Sequence, residues 1–200
     1  MAGKVIIFDL DGVLFESRDM HFVALNRALM VAGHAPISAE DHKTTFNGRP
    51  SATKLSMLGI KGKDAESILV WKQTYTQHWI KRNVTLDAGL IRLFADLNEA
   101  GYVICIVSNA VSQTVETATR KLGILGSVYS LITPSASLMP KPKPDMFFHA
   151  IGIVNGTPDV TTIVEDSPVG LEAAHAVTGA RVIEVSGPHE TITKVREVCL

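Results

Sequence analysis

Apolar positions along the chain fall into two alternating patterns. Short, nearly continuous and β-branched runs at 4–8, 102–107, 128–132, 161–164 and 181–185 predict strands buried on both faces. Between the later runs lie longer segments at 90–100, 111–122, 145–154 and 169–177 that read as helices. Their ends carry matching punctuation. Gly101 and Gly123 stand just past the first two, Pro144 precedes the third, and Ser167-Pro168 opens the fourth. Strands alternating with helices predict an α/β fold with a parallel sheet covered on both faces.

The stretch 16–86 breaks that rhythm and holds no convincing strand. An amphipathic helix is predicted at 20–32, ending at Gly33, and another at 65–82, which carries Trp71 and Trp79. Shorter helical pieces fall at 40–46 and 51–58. About 70 residues are too many for a crossover and suit a small all-α insertion after the first strand. The predicted division is a core of 1–15 and 87–200 and a helical unit of 16–86, with hinges near Gly12 and 86–88.

Composition sets bounds around this picture. At 46% hydrophobic and 20% charged, 200 residues are ordinary for a soluble globular chain with a real core. A formal net charge of −1 gives no global pull toward nucleic acid or an anionic membrane. Cys105 and Cys199 are the two cysteines; Cys105 lies in an apolar run and reads as a buried, inert thiol. With no cysteine framework and no export signal, a cytoplasmic location is expected.

The candidate chemistry gathers at strand ends. The first strand stops at Asp9-Leu10-Asp11-Gly12, where two acids two residues apart share a face if the chain stays extended. The second stops at Ser108-Asn109, ahead of a helix start suited to a phosphate. After the third comes Met139-Pro140-Lys141-Pro142-Lys143-Pro144-Asp145, in which prolines stiffen a turn and can fix a positive charge. The fourth stops at Glu165-Asp166-Ser167. Each has an ordinary reading, as turn, cap or solvated loop. In a parallel sheet, however, all four converge on one crevice, and the acids are the hard oxygen ligands typical of Mg²⁺.

In order, spacing and strand context these four motifs resemble those of the haloacid dehalogenase-like hydrolases, over essentially the whole chain. The helical insertion is similar to the cap of the subfamily that includes phosphoglycolate phosphatase and β-phosphoglucomutase. The resemblance implies a Rossmann-like core. It implies Asp9 as the nucleophile that accepts a phosphoryl group, and Asp11 as general acid and then base, with its carbonyl on Mg²⁺. Ser108 and Asn109 would hold phosphoryl oxygens, and Lys141, rather than Lys143, would neutralise charge. Asp166 would complete the metal site with Asp9, supported by Glu165. The pKa of Asp11 is expected to be tuned upward for the acid step.

Two cap residues are further candidates. His21, near the start of the first cap helix, could contact the leaving oxygen or the acid, and Arg49, in Asn47-Gly48-Arg49-Pro50, could reach a second phosphate or a sugar hydroxyl. The expected activity is a Mg²⁺-dependent phosphatase acting on a small phosphorylated metabolite, working as a monomer or homodimer without nucleic acid or membrane. A sugar phosphomutase of the β-phosphoglucomutase type stays open, since water exclusion by the cap decides between the two. A dehalogenase is disfavoured by Asp11, and nothing specific marks Lys43 or Lys54 as the reactive lysine of a phosphonate hydrolase. A receiver would lack the insertion, and a silent binding module would be expected to lack a motif residue.

Overall fold

In the computed structural model, residues 3–200 are described, so Met1 and Ala2 of the predicted core segment lie outside the described residues. Five strands, β1 (Lys4–Phe8), β2 (Tyr102–Val107), β3 (Ser130–Ile132), β4 (Thr161–Glu165) and β5 (Arg181–Glu184), form one sheet in the order β3-β2-β1-β4-β5. Every pairing is parallel.

Alternation along each strand builds two cores. Val5, Ile7, Cys105, Val107 and Ile163 face α7 (Asp145–Ile153) and α8 (Pro168–His175). Ile6, Phe8, Ile104, Ile106 and Val164 face α5 (Ala88–Glu99), α6 (Ser112–Leu122) and α9 (Pro188–Cys199), with Phe8 stacked on Phe94 at 5.0 Å. Cys105 is buried, and burial pushes its thiol up to about 11, so it is inert as expected.

Between β1 and α5 the described chain is helical: α1 (Arg18–Val31), α2 (Ala39–Asp41), a π-helical turn (His42–Phe46), α3 (Ser51–Met57) and α4 (Gly62–Asn83). Leu25, Leu29, Phe46, Leu55 and Ile68 make a separate apolar cluster within it. Met20, Ile80 and Val84 instead pack with the sheet's core, which anchors the two ends of the insertion. None of the described helices is long and apolar enough to cross a membrane.

Element boundaries differ from expectation in a few places. The run at 128–132 enters the sheet only at Ser130, because Leu125–Ser127 forms a 3₁₀ turn first. The predicted helix at 40–46 divides into α2 and the π turn. Helix α9, unassigned from sequence, follows Gly187-Pro188 and buries Thr191 and Val195.

Candidate active site

Strand β1 lies between β2 and β4, so the chain leaves it toward one side for β2 and β3 and toward the other for β4 and β5. Such a reversal opens a crevice at the carboxyl ends of the strands. Asp9 stands there one residue beyond β1, still paired through its amide to Val164 O at 2.9 Å. Ser108 follows β2 directly, Glu165 ends β4 and Asp166 follows it.

Lys141 is the hub. It is 3% exposed, and its Nζ donates to Asp9 Oδ1 at 2.6 Å, to Val107 O at 2.8 Å and to Glu165 Oε1. The flanking carboxylates hold its ammonium well above the ordinary lysine range despite full burial. Asn109 fixes the lysine's backbone: its Oδ1 accepts from Lys141 N at 2.9 Å and its Nδ2 donates to Lys141 O at 3.1 Å. Its side chain is therefore a brace for the lysine turn, which leaves its backbone amide, with Ser108, for the predicted role on phosphoryl oxygens. Lys143, the other lysine of the motif, makes no ion pair with the crevice acids among the described residues; its backbone amide donates to Pro140 O at 3.0 Å.

Asp9, Glu165 and Asp166 each bring a carboxylate oxygen within 4.8 Å of the others. Three acids face one ammonium. Burial, together with the charges of Glu165, Asp11 and Asp166, drives the Asp9 carboxyl well above the usual range against the pull of Lys141. The cluster is short of positive charge and built of hard oxygens, so it fits a divalent cation such as Mg²⁺. Glu165 Oε2 accepts from Asp166 N at 3.0 Å and from Ser167 N at 3.3 Å, which makes Glu165 a support more than a ligand. Gly12 permits the arrangement: its φ is +86°, and a Cβ there would lie 2.2 Å from Asp166 Oδ2.

Asp11 turns away from that cluster toward the cap. Its Oδ1 meets His21 Nε2 at 2.8 Å, and its Oδ2 accepts from Ser108 Oγ at 3.5 Å. Lys72 Nζ lies 3.2 Å from His21 Nδ1. An ammonium can only donate, so His21 Nδ1 accepts and Nε2 carries the hydrogen that Asp11 receives. Burial works to raise the Asp11 carboxyl, but His21, Ser17 and Lys72 together hold it well below the carboxylate range. The expectation of an upward-tuned Asp11 is thus reversed in this arrangement, because His21 against its carboxylate lowers it most, with Ser17 and then Lys72 adding to that.

The cap closes over a cavity of 430 Å³ whose walls include Asp9, Asp11, His21, Lys54, Lys72 and Ser108. Gly48 O accepts from Asn109 Nδ2 at 3.0 Å, and Gln73 and Gln77 on α4 reach Thr114 and Thr117 on α6 at 3.1 and 2.9 Å. Arg49 borders the cavity, but its side chain is exposed and its Nε donates to Thr45 O at 2.9 Å. The sequence did offer a signal for Lys72: residues 72, 73, 76, 77 and 80 recur at helical spacing, and four of them are polar where an apolar stripe is normal.

A parallel sheet with a helical insertion after its first strand, and acids and a buried lysine at its switch point, defines a class of phosphoryl-transfer scaffold. The chain belongs to the haloacid dehalogenase-like hydrolases, whose family model matches residues 6–185. It is 27% identical over 194 residues to Protein CbbY of Rhodobacter capsulatus, covering 92% of this chain and 85% of that one. It is 24% identical over 181 residues to β-phosphoglucomutase of Bacillus subtilis, covering 85% and 78%. CbbY from Rhodobacter sphaeroides, solved with xylulose-(1,5)-bisphosphate, shares the fold at a TM-score of 0.82 and 20% identity, covering 92% of this chain and 87% of that one.

Proposed function

We propose that this hydrolase is a Mg²⁺-dependent phosphatase of a small phosphomonoester, working through an aspartyl-phosphate on Asp9. The carrying observation is the Asp9–Lys141–Glu165 arrangement, in which a buried ammonium takes Asp9 Oδ1 while no hydrogen bond among the described residues reaches Oδ2. We divide the chain into a core of 1–15 and 87–200 and a cap of 16–86.

In the first half-reaction an Asp9 oxygen attacks phosphorus, the bond from phosphorus to the ester oxygen breaks, and that oxygen takes a proton from Asp11. In the second, water attacks the aspartyl-phosphate, Asp11 takes the water's proton, and phosphate leaves with Asp9 restored. Asp11 as it stands is the base of the second half. An incoming phosphoryl group, itself negative, raises the Asp11 pKa toward the protonated form that the first half needs. Ser108 and the Asn109 amide would hold phosphoryl oxygens, and Lys141 would offset the charge collecting between Asp9 and phosphorus. Asp9 and Asp166, with the Asp11 carbonyl, would hold Mg²⁺, which offsets repulsion between nucleophile and phosphate. His21 would orient Asp11, and Arg49 stands at the cavity rim for a larger substrate.

The test is phosphate release from sugar phosphates, nucleotides and phosphoglycolate, with Mg²⁺, with chelator, and with Asp9→Asn. Metal-dependent release that Asp9→Asn abolishes supports the reading. Conversion of β-glucose-1-phosphate to glucose-6-phosphate without release would instead identify a mutase, a reading that cap closure over the cavity also supports. No turnover of any compound refutes both.

A further inference from the structure

Lys54 is the residue of this cavity that the proposed chemistry leaves unused. It sits on α3, is 6% exposed, and lines the cavity. Among the described residues, no hydrogen bond or ion pair reaches its ammonium. Lysines are seldom buried this far unless paired, because an ammonium taken out of water needs a compensating anion. The carboxylate that acts on it is Asp11, across the cavity, and Asp11 is already engaged by His21 and Ser108. Lys72, on α4, adds a second cation to the same wall.

Charge is therefore divided across the cavity. At the floor, Lys141 pairs with Asp9 and Glu165, and Asp166 brings a third carboxylate within 4.8 Å of theirs, an excess of negative charge that a divalent cation would meet. At the roof, Asp11 is the one carboxylate among the described residues that acts on Lys54 and Lys72, an excess of positive charge that a metal would worsen. Burial depresses both ammonium groups against the pull of Asp11, and the charge of Lys72 depresses that of Lys54 further. Arg49 does not fill this role, since its guanidinium is turned to its own loop.

We infer that Lys54, with Lys72 beside it, is a binding site for a second anionic group, a phosphate or a carboxylate, at the far end of the substrate from the phosphoryl group that reacts. This inference rests on the phosphatase reading for which end reacts, and it narrows the substrate class to doubly anionic small metabolites.

The test uses phosphonates, which keep the shape of a phosphomonoester but have no ester bond to cleave. Dissociation constants are measured by calorimetry, with Mg²⁺ present, for alkylphosphonates, for α,ω-alkylene bisphosphonates with spacers of two to five carbons, and for the matching ω-carboxyalkylphosphonates. In the wild type, at least one doubly anionic compound should bind about ten- to a hundredfold more tightly than its singly anionic partner, as charge-assisted contacts do. The bisphosphonate and carboxylate arms show which second group is preferred. In Lys54→Met that advantage should fall at least tenfold. Equal binding of single and double anions by the wild type overturns this inference and leaves the phosphatase reading standing, as does an advantage that survives Lys54→Met. Absence of binding by every compound overturns both.

Discussion

Replacing Lys54 with methionine should make the protein more stable. The side chain keeps its length and apolar stem but loses a buried charge without a hydrogen-bonded partner. Burial first, and the charge of Lys72 second, lower the Lys54 pKa from 10.5 to about 8, with Asp11 opposing them. At about 1.36 kcal/mol per pH unit, that difference corresponds to about 3 kcal/mol of destabilisation when the group is fully protonated. The direction with pH follows from proton binding. Between about pH 8 and 10.5 the unfolded chain holds a proton at Lys54 that the folded protein has released, so stability rises with pH across that window. The cost is therefore complete below about pH 8 and falls to about 1 kcal/mol by pH 9.5. Urea unfolding of both proteins at pH 6.5 and 9.5, without phosphorylated ligand, measures it. Lys54→Met should be about 3 kcal/mol more stable at the lower pH, with most of the gain gone at the higher. A variant no more stable than wild type at pH 6.5, or a gain of equal size at both, would refute the claim that the structure holds an uncompensated ammonium there.

Lys141→Met should do the opposite, since it leaves the buried carboxylates of Asp9 and Glu165 facing each other. A loss of about 3–5 kcal/mol at pH 7 is expected from urea unfolding, shrinking at pH 5 as Asp9, whose carboxyl burial holds well above the usual range, gains a proton, and phosphate release should disappear. Gly12→Ala places a methyl group 2.2 Å from Asp166 Oδ2 at a φ of +86°, so phosphate release should fall at least about a hundredfold, for about 1–2 kcal/mol of lost stability. His21→Gln cuts the path from Lys72 to Asp11. The Asp11 pKa then rises, and where breakdown of the aspartyl-phosphate limits turnover the acid limb of the profile of kcat against pH should move to higher pH; an unmoved limb would remove Asp11 from the base role.

The strand-end motifs were legible because chemistry and backbone coincide there. An apolar run ending in an acid must lie at a sheet edge, and in a parallel sheet the edges after β1, β2 and β4 meet. Asp9, Ser108, Lys141, Glu165 and Asp166 therefore gather at one crevice, and the described chain between β1 and α5 is helical. The roles within the group were less legible. That Asn109 uses its side chain on the Lys141 backbone, and that Glu165 spends its oxygens on Lys141 and its own turn, follows from which atoms touch.

The cap was read as helices but not as a wall. Lys54 and Lys72 carry no motif, and a lysine on a surface-length helix ordinarily points to water. What faces the cavity depends on how α3 and α4 sit over the sheet, through contacts between residues far apart in the chain, such as Gln73 with Thr114 and Gly48 with Asn109. Local patterns and sheet topology are enough to specify the fold class, the helical stretch after β1 and the crevice where the acids and Lys141 gather. The ionisation of Asp11 and the positive roof above it depend on packing instead, because both arise from side chains that distant elements bring together.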